Sequence, residues 1–424
     1  MRQQSWRVWL VTDVYPPDCG GSGWSTHALA RVLLNRGHKP HVIVVEPTRN
    51  GVTHRSFEQI EIAEVGVRAA HRNPWRRLGS HDYTYGVLSD YLSQRLTENP
   101  DVDILHAQHL HSAPPTIHVG RVHGLATVVT VRDYWPVCLH GTSWWGSADC
   151  KGCSASNLTH CMTEYWNWPR PLARLMVGWS RRRLGTRRGA VAAAHRIIAV
   201  SSAVRRRIEG ELPGARLSVL PNMVDPDVLA TAASGGVPTS HQAPYLLTAG
   251  KLVPTKGFDL LISALAEIGH APPLVVAGDG PSRRDLEEQS RALGVATTFC
   301  GWVGHDQLLR MQRDAHAVVV PSAWQEPLSR FVLETLGLGT PVIAWARGGT
   351  PEIIESGLNG WLVDQTADLA AALSQLESPA RRRQVGLAGR ARVLNTYAPD
   401  VVYPGLAEVY AGAMSEAGRS QDDG

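Results

Sequence analysis

YLLTAGKLVPTKGFDLLISAL, Tyr245 to Leu265, runs in three stages: an apolar strand candidate to Ala249, a loop holding two lysines, and a helical stretch opening at Gly257. Strand, glycine loop and helix together form the unit of a parallel sheet covered by helices. Downstream the pattern restarts at Leu274 to Ala277, Thr297 to Cys300, Ala317 to Val320, Pro341 to Ala344 and Gly360 to Val363. Upstream the strand candidates are Arg7 to Thr12, His41 to Val45, Asp103 to Ala107, Thr127 to Val131 and Arg196 to Val200, with helices between them such as Ser25 to Asn35. Between the two series lies TAASGGVPTSHQAP, Thr231 to Pro244, which is small, polar and turn-rich and reads as a linker. The expected class is α/β: two doubly wound domains, 1–230 and 245–398, joined by the linker 231–244. Such sheets bind ligands at the carboxyl ends of their strands, so a central cleft faced by both domains is the expected site.

Length and composition agree with this division. A chain of 424 residues is long enough for two or three domains, each with its own core. Hydrophobic residues at 43% and charged residues at 19% exclude a disordered chain. The net charge of +4 suggests no nucleic-acid partner. Its distribution is uneven: Arg170 to Arg207 holds eleven Arg and no acid, leaving 31 cationic against 38 acidic residues elsewhere. The apolar stretch before Asp13 is too short for a signal peptide, and no run of 18 apolar residues exists. A cytoplasmic location is expected.

The lysine loop carries the most specific chemistry. The chain has only four Lys against 38 Arg, yet Lys251 and Lys256 both fall in TAGKLVPTKG. Two ammonium groups at a strand end suit a diphosphate, in binding and as it departs with developing charge. The stretch VVAGDGP, with Gly278 and Gly280, reads as a βα turn with Pro281 at the first helical position. In PSAWQEPLSRFVLETLGLGTPVIA, Pro327 suits a first helical position, which would leave the N–H groups of Leu328 and Ser329 open at a helix N-terminus as an anion site. Glu326 would then sit at the helix mouth and Glu334 about 12 Å further along the axis. That separation fits hydroxyls on either side of a diphosphate better than an acid and base flanking one bond. In PPDCGGSGWSTHALA, Gly21, Gly23 and Thr26 fall short of the dinucleotide fingerprint, and Glu46 is the only acid near the expected distance. Asp101 with Asp103, and Asp225 with Asp227, read as solvated pairs, so no catalytic metal is expected.

These stretches resemble the retaining glycosyltransferases of family 4, which have two Rossmann-like domains in the GT-B arrangement. The resemblance covers nearly the whole chain. It rests on Glu326 and Glu334 with seven residues between them, the following GTPVIAWARGGTPEIIESGLNGWLV, and AGKLVPTKGFDLLI, VVAGDGP, FCGWVG and VLPNMVD. It implies a retaining hexosyltransferase that takes a nucleotide-diphosphate sugar as donor, with a carbohydrate, lipid-linked or small-molecule acceptor. By the same likeness Lys251 and Lys256 hold the diphosphate, Glu334 the ribose and Glu326 the transferred sugar. The backbone at Trp302 and Val303 takes the base, and Gly250, Gly278, Gly280, Leu328 and Ser329 line the donor site. The Gly20 and Gly21 loop closes over phosphates or acceptor, and a C-terminal helix, 399–424, returns to the first domain. The family commonly has His where this chain has Arg132, at the end of the strand Thr127 to Val131. Arg stays protonated and is no base, but it can stabilise a leaving phosphate. His106, His109 and His111 are alternative sources of an imidazole. A catalytically inactive sugar-nucleotide binder and a nicotinamide-dependent oxidoreductase are the competing functions.

Two further features stand apart. Within a predicted insertion, 134–169, Cys138, Cys150, Cys153 and Cys161 have the ligand count of a structural zinc site, with knuckle spacing in one half only. A redox-labile disulfide and unlinked buried thiols are the other readings. Leu172, Leu175, Met176 and Trp179 fall at helical spacing amid Arg174, Arg181, Arg182 and Arg183. That pattern fits a core-packing helix with a basic face, or one resting on an anionic membrane surface, which would place the protein peripherally at the inner face of the membrane.

Overall fold

The computed structural model describes residues 5–68, 74–145, 148–150, 152–234 and 244–422. It divides into two compact units, one of 1–145, 150–221 and 403–424, the other mainly of 222–402.

Unit 1 is built on β1 (Arg7–Thr12), β2 (Lys39–Glu46), β3 (Asn50–Phe57), β4 (Ile60–Val67), β5 (Ile104–Ala107) and β6 (Ala126–Val131). A short pair, β7 (Trp144–Trp145) and β8 (Ala148–Asp149), precedes β9 (Arg196–Ala199) and β10 (Leu217–Val219). The main sheet has the order β10-β9-β6-β5-β1-β2-β4-β3. Its pairs are parallel except β3 with β4. The strand direction of travel reverses between β1 and β5, which makes the loops after those strands the ligand-facing ones. The helix Pro399–Asp422 completes this unit from Tyr403 onward. Its Tyr410 hydroxyl meets His106 Nδ1 at 2.8 Å, and its Tyr403 hydroxyl meets His38 Nε2 at 2.5 Å.

Unit 2 has β11 (Leu246–Ala249), β12 (Leu274–Ala277), β13 (Thr297–Gly301), β14 (Ala317–Val320), β15 (Val342–Trp345) and β16 (Trp361–Val363). The order β13-β12-β11-β14-β15-β16 is parallel throughout. The switch point falls between β11 and β14. Leu246, Val276, Val319 and Ile343 from four strands join Phe258 and Leu261 of the helix Phe258–Ile268 in one core.

Two boundaries differ from expectation. The units divide at Pro221 and Asn222, ahead of the predicted linker 231–244. Residues 231–234 close the helix Pro226–Ser234, whose buried Leu229 packs where a Cβ on Gly337 would stand, so this segment already belongs to unit 2. Residues 235–243 lie outside the described residues. The arginine-rich stretch is two helices, Arg170–Leu175 and Val177–Ala192, separated at Met176. The second buries Ser180, Leu184, Arg187 and Val191, while of the predicted apolar stripe Met176 packs against the core and Leu175 stays 79% exposed, so the stripe is only in part a core face. Nor are the eleven arginines without counter-charge: Arg188 and Arg207 pair with Glu211, Arg205 with Glu209, and Arg196 with Glu416. These partners lie beyond Arg207 in sequence and return to it only in the fold.

Candidate functional site

The loops after β11 and β14 meet at the switch point of unit 2, and glycine makes the approach possible. Gly257 has φ +67°, and a Cβ there would lie 2.1 Å from the Pro321 carbonyl oxygen. With that space clear, the Ala323 and Trp324 amides both donate to the Thr255 carbonyl, at 3.0 and 3.2 Å. The clip carries Lys256 to Glu326: Nζ donates to Oε2 at 2.8 Å. Ser322 Oγ at 3.0 Å and Trp324 Nε1 at 2.8 Å donate to the same oxygen. Gly348, φ +60°, lets its turn close on Glu326, whose carbonyl accepts from Gly349 N at 2.7 Å.

Glu334 is fixed separately. It lies 4% exposed in the helix Arg330–Gly337, and its Oε1 accepts from Arg330 Nε at 2.7 Å and meets His305 Nε2 at 2.8 Å. Burial pushes this carboxyl up, but Arg330 and His305 together outweigh it, and the group sits below the usual carboxylate range. Arg330 and His305 did not emerge from sequence reasoning. Arg330 precedes Glu334 by four residues, an ion-pair spacing legible on any helix, whereas His305 comes from a helix 29 positions earlier.

The helix begins later than expected. Arg330 is its first residue and Ser329 its cap, with Ser329 Oγ accepting from Val332 N at 3.4 Å. Leu328 precedes the helix, its carbonyl accepting from Asn222 Nδ2 at 3.4 Å. Glu326 is therefore in the loop, and the 12 Å spacing along one helix axis does not apply.

The other predicted donor residues serve loop packing visibly. Cβ atoms on Gly278 and Gly280 would stand 2.0 Å from the Gly250 carbonyl oxygen and 2.4 Å from the Leu252 carbonyl oxygen. Gly250 N in turn donates to Ala277 O at 3.0 Å. The helix after this turn starts at Arg283, beyond Pro281. Lys251 is exposed beside these loops, and Trp302, 58% exposed, follows β13 with Val303.

In unit 1 the loops after β1 and β5 are joined by Asp13, whose carboxylate accepts from the His111 and Ser112 amides at 2.9 Å each. Arg132 follows β6 and donates through Nη2 to Gln108 Oε1 at 2.6 Å. His106 is spent on Tyr410 and on Thr130 Oγ1, 2.8 Å away. Burial and Arg132 drive it down to about 3, so it stays neutral. His109 meets Thr12 Oγ1 at 2.9 Å, and burial brings it to about 4. Gln108 Nε2 and His109 Nε2 are buried without a protein hydrogen-bond partner among the described residues. Asp133, beside Arg132, is raised to about 7 by burial, with Asp13 adding to the shift.

Gly20 caps the helix Gly21–Asn35. Gly23 allows contact with Cys19, since a Cβ would lie 2.4 Å from its Sγ, and Thr26 Oγ1 donates to Ser22 O at 3.2 Å. Glu46 is held by Thr48. The dinucleotide reading thus loses both its turn and its acid. Asp103 accepts from Arg7 N at 2.7 Å and Asp101 pairs with the Arg7 side chain, so this pair ties down the start of β1. Asp225 accepts from Asp227 N at 2.9 Å, ordering the turn before the helix Pro226–Ser234.

The four cysteines are free thiols in one neighbourhood. Burial, reinforced by the other thiols, pushes Cys153 to about 11 and Cys161 to about 12. Ser143 N donates to Cys138 Sγ at 3.3 Å. Among the described residues no three His, Cys, Asp or Glu side chains are grouped so as to hold a metal ion. No described helix is long and apolar enough to cross a membrane.

Two parallel-sheet units, each with polar groups at its switch point, define an α/β architecture of paired Rossmann-like domains. Family models match along both. Glycosyltransferase Family 4 matches residues 19–228, and Glycosyl transferases group 1 matches residues 235–392. Glycogen synthase of Mycobacterium tuberculosis is 27% identical, over 96% of this chain and 95% of its own. A GDP-mannose-dependent alpha-(1-6)-phosphatidylinositol monomannoside mannosyltransferase of the same organism is 32% identical, over 50% of this chain and 60% of its own. HepE of Anabaena in complex with UDP superposes with a TM-score of 0.66 at 16% identity, covering 96% of this chain and 99% of that one. The chain belongs to the glycosyltransferases of the GT-B type.

Proposed function

We propose that the protein transfers a hexosyl group from a nucleotide-diphosphate sugar to an acceptor with retention at the anomeric carbon. The observation that carries this reading is the Lys256 Nζ to Glu326 Oε2 contact of 2.8 Å at the switch point of unit 2. A cation sits there against a carboxylate that has three donors on one oxygen. Lys256 and Lys251 take the diphosphate, and Glu326 accepts from hydroxyls of the transferred sugar. Glu334, held ionised by Arg330 and His305, accepts from the ribose. In the step itself the bond from the anomeric carbon to the phosphate oxygen breaks. The acceptor oxygen bonds to the same face of that carbon, and its proton passes to the departing phosphate. Lys256 stabilises the charge that develops on the diphosphate, and Arg132 serves the same end without acting as a base. The UDP of HepE and the GDP-mannose of the mannosyltransferase support a nucleotide-sugar donor and leave its base open.

A panel of UDP-, GDP- and ADP-sugars, followed by released nucleotide and by thermal shift, tests this reading. Nucleotide release with one donor is expected. A thermal response to NAD with none to any nucleotide sugar would overturn the reading, and binding without release in the presence of varied acceptors would leave a sugar-nucleotide binder.

A further inference from the structure

Arg132 is held by a side chain to which the proposed reaction gives no role. Strands β5 and β6 pair in parallel with His106 opposite Val128. Side chains alternate between the faces of a sheet, so His106 and Gln108 on one strand line share a face with Thr130 and Arg132 on the other. Two rungs join the lines. His106 Nε2 meets Thr130 Oγ1 at 2.8 Å, and one step further along Arg132 Nη2 donates to Gln108 Oε1 at 2.6 Å. The backbone of Gln108 is pinned as well, its amide donating to Val11 O at 2.9 Å. Gln108 is fully buried, whereas Arg132 is half-buried. A substrate can meet Arg132 directly, and it feels Gln108 only through Arg132.

The orientation of this amide works against stability. A guanidinium has only donors, so the oxygen of Gln108 must be the atom that faces Arg132. Its Nε2 is then buried with no hydrogen-bond partner among the described residues. A buried donor left unmet costs free energy, so the contact with Arg132 is kept at the expense of the amide's own donor. A glutamate here would accept from the guanidinium more strongly and would leave no donor unmet. It would also set a negative charge against Arg132. The neighbouring imidazoles carry no charge either: burial, with Arg132 adding to the shift, brings His106 to about 3 and His109 to about 4.

We propose that Gln108 is a positioning residue for the transfer: it aims the Arg132 guanidinium at the departing diphosphate and, being neutral, adds no charge that would offset it. The assignment rests on the transferase reading above, in which Arg132 stabilises the leaving phosphate. A donor fixed in place before charge develops stabilises that charge without reorganising. An amide orients such a donor and leaves its field intact, which a carboxylate at the same distance would not do.

The test is steady-state nucleotide release by the full chain with the donor selected from the sugar-nucleotide panel, resolved into kcat and KM. Gln108→Leu removes the contact and should lower kcat about tenfold or more while the donor KM changes by less than about twofold, because the charge to be stabilised develops only in the transition state. Gln108→Glu keeps an acceptor on Nη2 but adds a charge, and should lower kcat by a similar factor. Arg132→Leu should lower kcat at least as far, and adding Gln108→Leu to it should cost nothing more, since residues that act as one unit are not additive. If Gln108→Leu does not fold, Gln108→Met carries the same comparisons. Wild-type kcat in the folded apolar variant, wild-type kcat in Gln108→Glu, or losses that add in the double variant would each overturn the assignment and leave the transferase reading standing. A wild-type chain that releases no nucleotide from any donor would refute the transferase reading, and the assignment with it.

Discussion

The two switch points are chemically unlike. In unit 2 Glu326 is bonded to Lys256, and Glu334 to Arg330 and His305, which keep the Glu334 carboxyl below the usual carboxylate range. In unit 1 the titratable groups around Arg132 are driven toward neutrality by burial, with His106 and His109 deprotonated and Asp133 drawn toward neutral pH. One site maintains fixed charge and the other suppresses it. The difference suits the proposed binding of an ionic, hydroxyl-rich donor by unit 2, where preorganised groups cost no reorganisation at the moment of reaction. In unit 1 it leaves Asp133, raised to about 7, as the group whose charge changes near neutral pH.

The largest effect should come from breaking the fixed charge. Lys256→Ala removes the cation facing the departing diphosphate and should lower kcat by about a hundredfold, roughly 3 kcal/mol of barrier by analogy with oxyanion donors. Glu326→Gln should cost a comparable factor, with the far-UV spectrum unchanged in both. Near-normal nucleotide release in either variant would remove Lys256 and Glu326 from the reaction.

Glu334 should separate binding from chemistry. If it holds the ribose alike in ground and transition states, Glu334→Gln raises the donor KM about tenfold and changes kcat little. Leaving Arg330 buried without its anion should also lower stability by about 3 kcal/mol, read in a denaturant titration. A selective fall in kcat would instead assign Glu334 to the chemical step.

Much of this contrast was legible in the sequence, for reasons that differ by element. Strands β1, β12 and β14 have the predicted ends because RVWLVT, LVVA and AVVV are apolar runs whose residues are almost all buried. Strand β3 did not emerge, because NGVTHRSF is a polar edge strand whose pairing is set by β4 across a turn. The lysine loop stood out because lysine is so scarce in the chain. The helix near Glu326 was placed too early because Pro327 is sterically suited to a helix start, and sequence spacing does not register the Asn222 contact or the Ser329 cap. Arg187 is one of eleven arginines between Arg170 and Arg207 in the sequence, and only the packing of its helix shows that it is buried.

The cysteines extend the neutral character of unit 1. Cys153 and Cys161, raised by burial and by the neighbouring thiols, stay protonated at neutral pH when metal-free. Zinc uptake would draw Cys138, Cys150, Cys153 and Cys161 together and release protons. Elemental analysis of freshly isolated, reduced protein should find about one zinc per chain, and a chelator should lower Tm by several degrees. Protein free of zinc and iron, with Tm indifferent to chelator, would leave four unlinked thiols.

The last test addresses the neutrality of unit 1 directly. Asp133 accepts from Trp135 N at 2.7 Å, which favours its charged form, yet burial dominates and raises it from the ordinary aspartate value to about 7. The folded chain therefore holds a proton on Asp133 across a pH range in which the unfolded chain has released it. The resulting stabilisation is fully present below about pH 4, declines as pH rises, and is lost once pH passes about 7. Asp133→Asn cannot titrate, so the difference in Tm between wild type and variant should shift in favour of the variant as pH rises from 4 to 8. Arg187 opposes the shift and limits its size. A difference that is constant over this range would mean that Asp133 keeps an ordinary carboxylate, and a difference moving toward the wild type would mean that it is ionised and paired, as the carboxylates of unit 2 are.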